Sequence, residues 1–220
     1  VSKNFGDVTI IRLESNHGFA GGYNLALKQI TAKYFVLLNS DAEVTEGWLD
    51  PMIKHMDQNP DVASCQPKIR SFHERDHFEY AGAAGGYIDK FGYTFCRGRI
   101  FENIEKDTGQ YDNFTDIFWS SGACMMVRSE AWTQCGGFDD DFFAHMEEVD
   151  LCWRFHLAGL RVSCVPESIV YHAGGGSLPY DSKLKTYLNF RNNLFLLYKN
   201  LPDNKLHKTL FIRKVLDGVA

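Results

Sequence analysis

Two groups of side chains have the types and spacing of a chemical site. The first is Asn39-Ser40-Asp41, directly after the apolar run Tyr34 to Leu38. Side chains alternate along an extended chain, so Asn39 and Asp41 share a direction. A carboxylate beside an amide oxygen suits a hard cation that keeps several waters and takes further oxygens from a phosphate. Ligands of open α/β sheets bind beyond the carboxyl ends of strands, where this pair stands. Asn and Asp also serve as plain turn formers, and the stretch alone supports both readings. The second group is Glu147-Glu148-Val149-Asp150, ahead of Leu151, Cys152 and Phe155, which form one face of a helix ending at Gly159. Acids in a first helical turn complement the helix dipole, and Asp150 and Arg154 can pair at i, i+4. Three acids exceed what a helix start needs, and a carboxylate at such a start in a cleft is placed to act as a general base.

Two further features bear on the same chemistry. Glu14 to Gly22 is a glycine-rich loop between a strand and a helix, the layout that brings backbone N–H groups to a phosphate. Its spacing is neither the dinucleotide fingerprint nor a Walker loop, and glycines also serve tight turns. His172 follows a strand and precedes the glycine run Gly174 to Gly176 with Ser177, a mobile segment by composition. A single histidine there is as readily a hydrogen-bonded residue as a ligand.

The elements that must position these groups read as follows. Val8 to Leu13 is β-branched and predicts a strand. Tyr23, Ala26, Leu27 and Ile30 predict a helix. Tyr34 to Leu38 reads as a strand buried on both faces, as in a parallel sheet. Asp50 and Pro51 open a helix whose apolar face is Met52, Ile53 and Met56, and Val62 to Gln66 is a further strand. This alternation predicts βαβ units and a mainly parallel sheet. From Pro67 to Phe114 the pattern changes. His73 to His77 is a solvated loop, and Tyr87 to Tyr93 is a hairpin or bulged strand pair. Long irregular stretches of this kind often cover or shape a site. Ile117 to Val127 predicts a strand with Gly122 inside, a mark of a bulge or close approach. Ser129 caps a short helix. Arg161 to Val165 and Ser168 to Tyr171 predict two strands separated by Pro166. Tyr187 to Tyr198 is an amphipathic helix. Leu206 to Val219 is basic and apolar, a helix packed on its own domain or lying at an anionic membrane surface.

The totals bound the class. The 220 residues suit one domain with an embellishment. A formal charge of −5 argues against a general nucleic-acid binder. No apolar run is long enough to span a membrane, and no signal peptide is visible. The chain opens on Val1 rather than Met, as a piece of a longer protein does. The six cysteines form no C-x-x-C pair and lie mostly in apolar segments. They read as buried thiols of a reducing compartment, with disulfides left open by the even count.

Taken in order, Asn16-His17-Gly18-Phe19-Ala20-Gly21-Gly22-Tyr23-Asn24, Leu37-Leu38-Asn39-Ser40-Asp41, Trp48-Leu49, Gly122 to Arg128, Gly136-Gly137-Phe138-Asp139, Glu147-Glu148-Val149-Asp150-Leu151 with Arg154, Ala158-Gly159, Pro166 and His172 resemble the inverting nucleotide-sugar glycosyltransferases of family 2. The bacterial rhamnosyltransferase-like branch is the nearest, and the likeness runs from the first strand to Arg191. The resemblance implies an α/β GT-A fold, a mixed, mostly parallel sheet flanked by helices, over 1–180, with a helical extension over 181–220. It implies that the chain begins after the strand, helix and strand that carry much of the base pocket. It also implies a divalent cation (Mn²⁺ or Mg²⁺) and the donor diphosphate at Asp41, with Asn39 as companion and His172 as a further metal ligand. Asn16, Gly18 and Asn24 match the loop near the donor nucleotide. The family's base is the acid after a Glu, which is Glu148 here, a departure from Asp, with Glu147 as the fallback. The implied acceptor is a saccharide or a polyprenyl-linked saccharide of cell-surface polysaccharide synthesis, reached from the cytoplasm at the inner membrane face. Two other readings remain, a non-catalytic saccharide-binding relative and a metal phosphoesterase built from Asp41, Glu147, Glu148 and His172.

Overall fold

The computed structural model describes residues 6, 8–80, 82–101, 103–174 and 183–219. Its elements are α1 (Gly18–Leu27), β1 (Tyr34–Leu38), β2 (Ala42–Val44), α2 (Leu49–Gln58), β3 (Val62–Ser71), β4 (Gly86–Ile88), β5 (Thr94–Cys96), β6 (Arg99–Ile100), β7 (Asn103–Ile104), β8 (Thr115–Ile117), β9 (Cys124–Arg128), α3 (Ser129–Gln134), α4 (Glu147–Leu157), β10 (Arg161–His172), α5 (Lys183–Asn200) and α6 (Asp203–Asp217). The main sheet runs β1-β9-β3-β10-β2, with β8 also on β10. A separate ribbon runs β4-β5-β6-β7.

The sheet is mixed, and its parallel share is the single long pairing of β3 with β10. Every other described pairing is antiparallel. Alternating strands and helices do place β1 and β3 in one sheet. The crossover through α2, however, leaves a gap one strand wide between them, and β9 fills it antiparallel to both. β1 therefore has only β9 beside it, and its faces differ: Phe35 and Leu37 are buried while Val36 is 36% exposed. β10 is one strand rather than two. Pro166 is absorbed as an irregularity between Val165 and Ile169, where the register with β3 shifts, as expected of a residue that cannot donate to the ladder.

Other expectations change in detail. Val8 to Leu13 is not a strand; these residues have no regular structure and are mostly exposed. A β-branched run becomes a strand only where a neighbour takes its N–H and C=O groups, and no described strand does. Ile117 to Val127 is broken into β8 and β9 by an irregular stretch that contains Gly122. Asp50 lies inside the first turn of α2 rather than capping it, and Ile53 is exposed. Ser129 likewise begins α3 and sends its hydroxyl to the Lys33 carbonyl. Gly175 to Ser177 lie outside the described residues.

Packing follows the sheet. α2 covers one face through Met52 and Met56 against Val62, Cys65, Met126 and Val165. α1, α3, α4 and α5 close the other around Leu37, Met125, Trp132, Leu151, Phe155 and Leu196. All six cysteines are free thiols and all but Cys135 are buried. No helix among the described residues is long and apolar enough to cross a membrane.

Candidate active site

A cleft of about 690 Å³ opens at the carboxyl ends of β1 and β10. Asn16, Gly18, Asn39, Asp41, Glu147, Glu148 and His172 all line it. The sheet explains why residues so far apart in sequence meet. Pairing of β10 with β2 sets His172 opposite Ala42, one residue past Asp41. The Ala173 N–H then donates to the Asp41 carbonyl. The turn after β1 is held by the Asn39 N–H, which donates to Ala123 O.

His172 is buried between acids. Its Nε2 lies 3.2 Å from Asp41 Oδ1 and 3.2 Å from Asn39 Nδ2. Its buried Nδ1 lies 3.3 Å from Glu79 Oε1. Burial opposes a charged ring, but the Glu79 and Asp41 carboxylates outweigh it and raise the pKa. A carboxylate behind the second ring nitrogen is also the arrangement that orients a metal-bound histidine. Asp41 and His172 make an oxygen and nitrogen donor pair on the cleft lining, with the Asn39 amide beside them. No described group of three His, Cys, Asp or Glu residues could hold an ion by itself. A cation held here would draw its remaining ligands from substrate oxygens and water, which Mg²⁺ and Mn²⁺ accept. The residues fit such an ion on those terms.

The second half of the site is the start of α4. Glu147 is buried, Glu148 lines the cleft half-buried, and each has one carboxylate oxygen, Oε2, buried with no hydrogen-bond partner. Burial drives the Glu147 pKa well above the carboxylate range, and the charge of Glu148 adds to the rise. Burial also raises Glu148, but backbone N–H groups, including that of Gly122, pull against it. A Cβ on Gly122 would lie 3.7 Å from Glu148 Oε1, so the strand break there brings backbone up to the carboxylate. Asp150 is different. Arg154 Nε at 2.9 Å, Lys199 Nζ at 3.0 Å and Asn200 Nδ2 at 2.8 Å all donate to its carboxylate, which makes it structural.

The loop leading into α4 is strained and tightly held. Phe143, His145 and Met146 all have positive φ, which costs on the order of 1–3 kcal/mol each. The Asn192 amide of α5 donates to the carbonyls of Phe142, Ala144 and His145 at 3.0, 2.8 and 2.7 Å. Arg191 donates to Asp141 O and Phe142 O. From the other side, Phe19 N–H at the start of α1 donates to Phe143 O at 2.9 Å. Gly18 permits that contact: at φ +71, any Cβ would stand 2.6 Å from the Phe143 carbonyl and ring.

Asn24, expected beside the nucleotide, is outside the cleft. Its side chain brackets the backbone of Phe138, donating to the carbonyl at 2.8 Å and accepting from the N–H at 3.0 Å, and also bonds Asp140. An amide that meets both backbone groups of one residue is a tertiary clamp. The sequence reading did not single out Glu79, Arg99, Trp119, Lys185 and Asn189, which also line the cleft. Glu79 and Arg99 come from the irregular middle stretch, whose length was the available signal. Lys185 and Asn189 belong to the helix that closes one side.

Comparison with known proteins adds the following. A family model described as glycosyl transferase family 2 matches residues 1–136. The chain is 46% identical over 196 residues to the N-acetylglucosaminyl-diphospho-decaprenol L-rhamnosyltransferase of Mycobacterium tuberculosis, covering 77% of this chain and 60% of that protein. It is 27% identical over 164 residues to rhamnosyltransferase WbbL of Escherichia coli K12, covering 71% of this chain and 60% of that protein. The chain thus spans about 60% of the length of these relatives. Among solved structures it is similar to GalNAc-T7 with UDP, GalNAc and Mn²⁺, with TM-score 0.63 and 14% identity over 90% of this chain and 37% of the other. It is also similar to mannosyltransferase PcManGT of Pyrobaculum calidifontis with GDP-Man and Mn²⁺, with TM-score 0.58 and 14% identity over 96% and 53% of the two chains.

Proposed function

Because this chain belongs to glycosyltransferase family 2 and has the GT-A fold, we propose that it transfers a sugar from a nucleoside-diphosphate donor to a saccharide acceptor with inversion. The observation that carries the reading is the cleft itself. Asp41, His172 and Glu148 all line one cleft of about 690 Å³.

Inverting transfer is a single displacement at the anomeric carbon through an oxocarbenium-like transition state. The acceptor hydroxyl must lose a proton as it attacks. Glu148 takes that proton: it lines the cleft, and its Oε2 has no hydrogen-bond partner among the described residues. Glu147 is buried beside it, its pKa also raised by burial and by the charge of Glu148, and is the fallback base. Asp41, Asn39 and His172 would hold a divalent cation that neutralises charge on the departing diphosphate. Asn16 and Gly18 stand on the cleft wall where the donor nucleotide would approach.

The acceptor of the mycobacterial relative, by its name, is N-acetylglucosaminyl-diphospho-decaprenol. An acceptor of that kind, a saccharide on a polyprenyl diphosphate, is proposed for this chain too. It places the reaction at the cytoplasmic face of a membrane in surface-polysaccharide synthesis.

The test is nucleotide binding by calorimetry, with UDP and dTDP, with and without Mn²⁺, followed by transfer with Glu148→Gln. The expected result is Mn²⁺-dependent binding that Asp41→Ala abolishes and Glu148→Gln retains, with transfer lost in both. Donor hydrolysis that proceeds at full rate without any acceptor would instead indicate a phosphoesterase.

A further inference from the structure

The ribbon β4-β5-β6-β7 has no part in the chemistry above, yet Thr94, Phe95, Cys96 and Arg99 bring it to the cleft mouth. It carries an unusual combination. Phe95 is 48%, Ile100 66% and Phe101 85% exposed. Phe101 begins the tight turn between β6 and β7 at φ +51. That conformation is an outlier for a bulky side chain, and such turns ordinarily select Asn or Gly. An aromatic ring kept there in water, on a ribbon that carries two other exposed apolar side chains, marks a contact surface rather than a stable end of a ribbon.

Arg99 stands next to this patch and faces inward. Its guanidinium lies 3.7 Å over the Tyr80 ring. Its Nε is buried without a hydrogen-bond partner among the described residues, and the guanidinium also stands beside the Cys96 thiol, whose pKa burial raises and the guanidinium pulls back down. Three neighbouring basic side chains are engaged elsewhere, and Lys90 of the β4–β5 turn lies over the Phe91 ring. Arg97 bonds the Ala84 carbonyl, and Lys68 and Arg70 are tied to Asp107. Arg99 is therefore a cation lining the cleft on the ribbon that carries the apolar side chains, of which Phe95 also lines the cleft. The cleft itself is rich in acids, with Asp41, Glu79, Glu147 and Glu148 on its lining. A guanidinium on this lining, without an ion pair among the described residues, complements an anion that the rest of the cleft repels.

We infer that Arg99, with Phe95, Ile100 and Phe101, forms the binding site for the carrier end of the acceptor, an isoprenoid diphosphate. Arg99 takes the diphosphate, and the three apolar side chains take the first isoprene units as they leave the cleft. Guanidinium groups suit phosphate oxygens through paired N–H donors. The inference rests on the transferase reading and names which part of the site reads the acceptor's carrier.

The probe is geranylgeranyl diphosphate, titrated calorimetrically in EDTA, so that the divalent cation implied at Asp41 cannot recruit it. Inorganic pyrophosphate and geranylgeraniol are titrated in parallel. Expected results are binding of geranylgeranyl diphosphate to the wild type, weakened about tenfold or more by Arg99→Gln. Phe101→Ser should weaken it several-fold and leave the weaker pyrophosphate binding unchanged. Equal binding to wild type and Arg99→Gln overturns the inference, as does pyrophosphate binding as tightly as the isoprenoid. A wild type that binds nucleotide with Mn²⁺ but not the isoprenoid diphosphate overturns this inference alone. One that binds neither overturns the transferase reading with it.

Discussion

Replacing Glu147 and Glu148 separately by Gln should reveal whether two neighbouring buried acids divide their roles. Gln keeps the shape and removes the charge. In each residue Oε2 is buried without a partner. An unsatisfied buried acceptor costs about 1–3 kcal/mol and a charged one more. The amide leaves a buried polar atom of its own, so the gain in stability is put at ~1–2 kcal/mol, near the lower end of that range. For a domain of this size that corresponds to roughly 2–8 °C in melting temperature. The gain must depend on pH. Both pKa values are raised on folding by burial, that of Glu147 further through the charge of Glu148. The protonated forms are thus favoured in the folded state. The stability they contribute is fully present below the ordinary Glu value of about 4.3 and is lost as pH rises through the raised folded values. The wild type should therefore fall behind both variants progressively from acid towards alkaline pH. Melting curves across that window provide the assay. Parallel curves for wild type and variants would refute the electrostatic argument. Transfer separates the two residues: Glu148→Gln should lose about 10²–10⁴ in kcat, the usual worth of a general base, and Glu147→Gln far less. Equal losses would remove the assignment of the base to Glu148.

Other expectations concern what holds the site in place. Asn192→Ala removes all three amide bonds to the loop before α4. It should cost about 2–4 kcal/mol in urea unfolding and lower kcat while metal-dependent nucleotide binding persists. Gly137→Ala places a Cβ 2.6 Å from Asn24 Oδ1 at φ +69. A destabilisation of about 2–3 kcal/mol should follow from strain and crowding, read as a lower urea midpoint. Lys68→Met removes one of the two cations on Asp107, whose side chain is fully buried, and leaves it with Arg70 and the Gly109 N–H. Chemical denaturation should show a loss of about 1–3 kcal/mol.

What the sequence makes legible here is local. α4 is marked by its acidic first turn and by the spacing of Leu151, Cys152 and Phe155, and the structure starts it at Glu147. The end of β1 is marked by the switch from Leu38 to Asn39, and the strand stops there. Adjacency in the sheet is not local. The insertion of β9 between β1 and β3 turns an alternation that reads as parallel into a mostly antiparallel sheet. Nothing in Tyr34 to Leu38 reports which strand will lie beside it. The same limit explains Asn24. An amide suits a ligand and a backbone bracket equally well, and only the arrival of Phe138 decides between them. Arg99 and Glu79 lie in a stretch with no sustained period, so no element assignment could aim them at the cleft.

The cleft is also where local rules are broken, and the breaks have one direction. Three positive-φ residues precede α4, Met146 caps it without a side-chain bond, and two carboxylate oxygens are left unpaired. Met146 is the stringent case, because an αL residue with a long side chain is a poor helix cap. A Ser or Asp there would satisfy the first N–H groups of α4. It would also place an oxygen donor or acceptor where the backbone N–H groups now steady the carboxylate of Glu148. Leaving the cap vacant reserves those N–H groups for Glu148. The rigid bracket of Asn192, Arg191 and the Phe19 N–H then supplies the stability that the cap does not. The strain is therefore offset by α1 and α5, elements outside the chemistry. Loosening either should move Glu148 before it unfolds the domain.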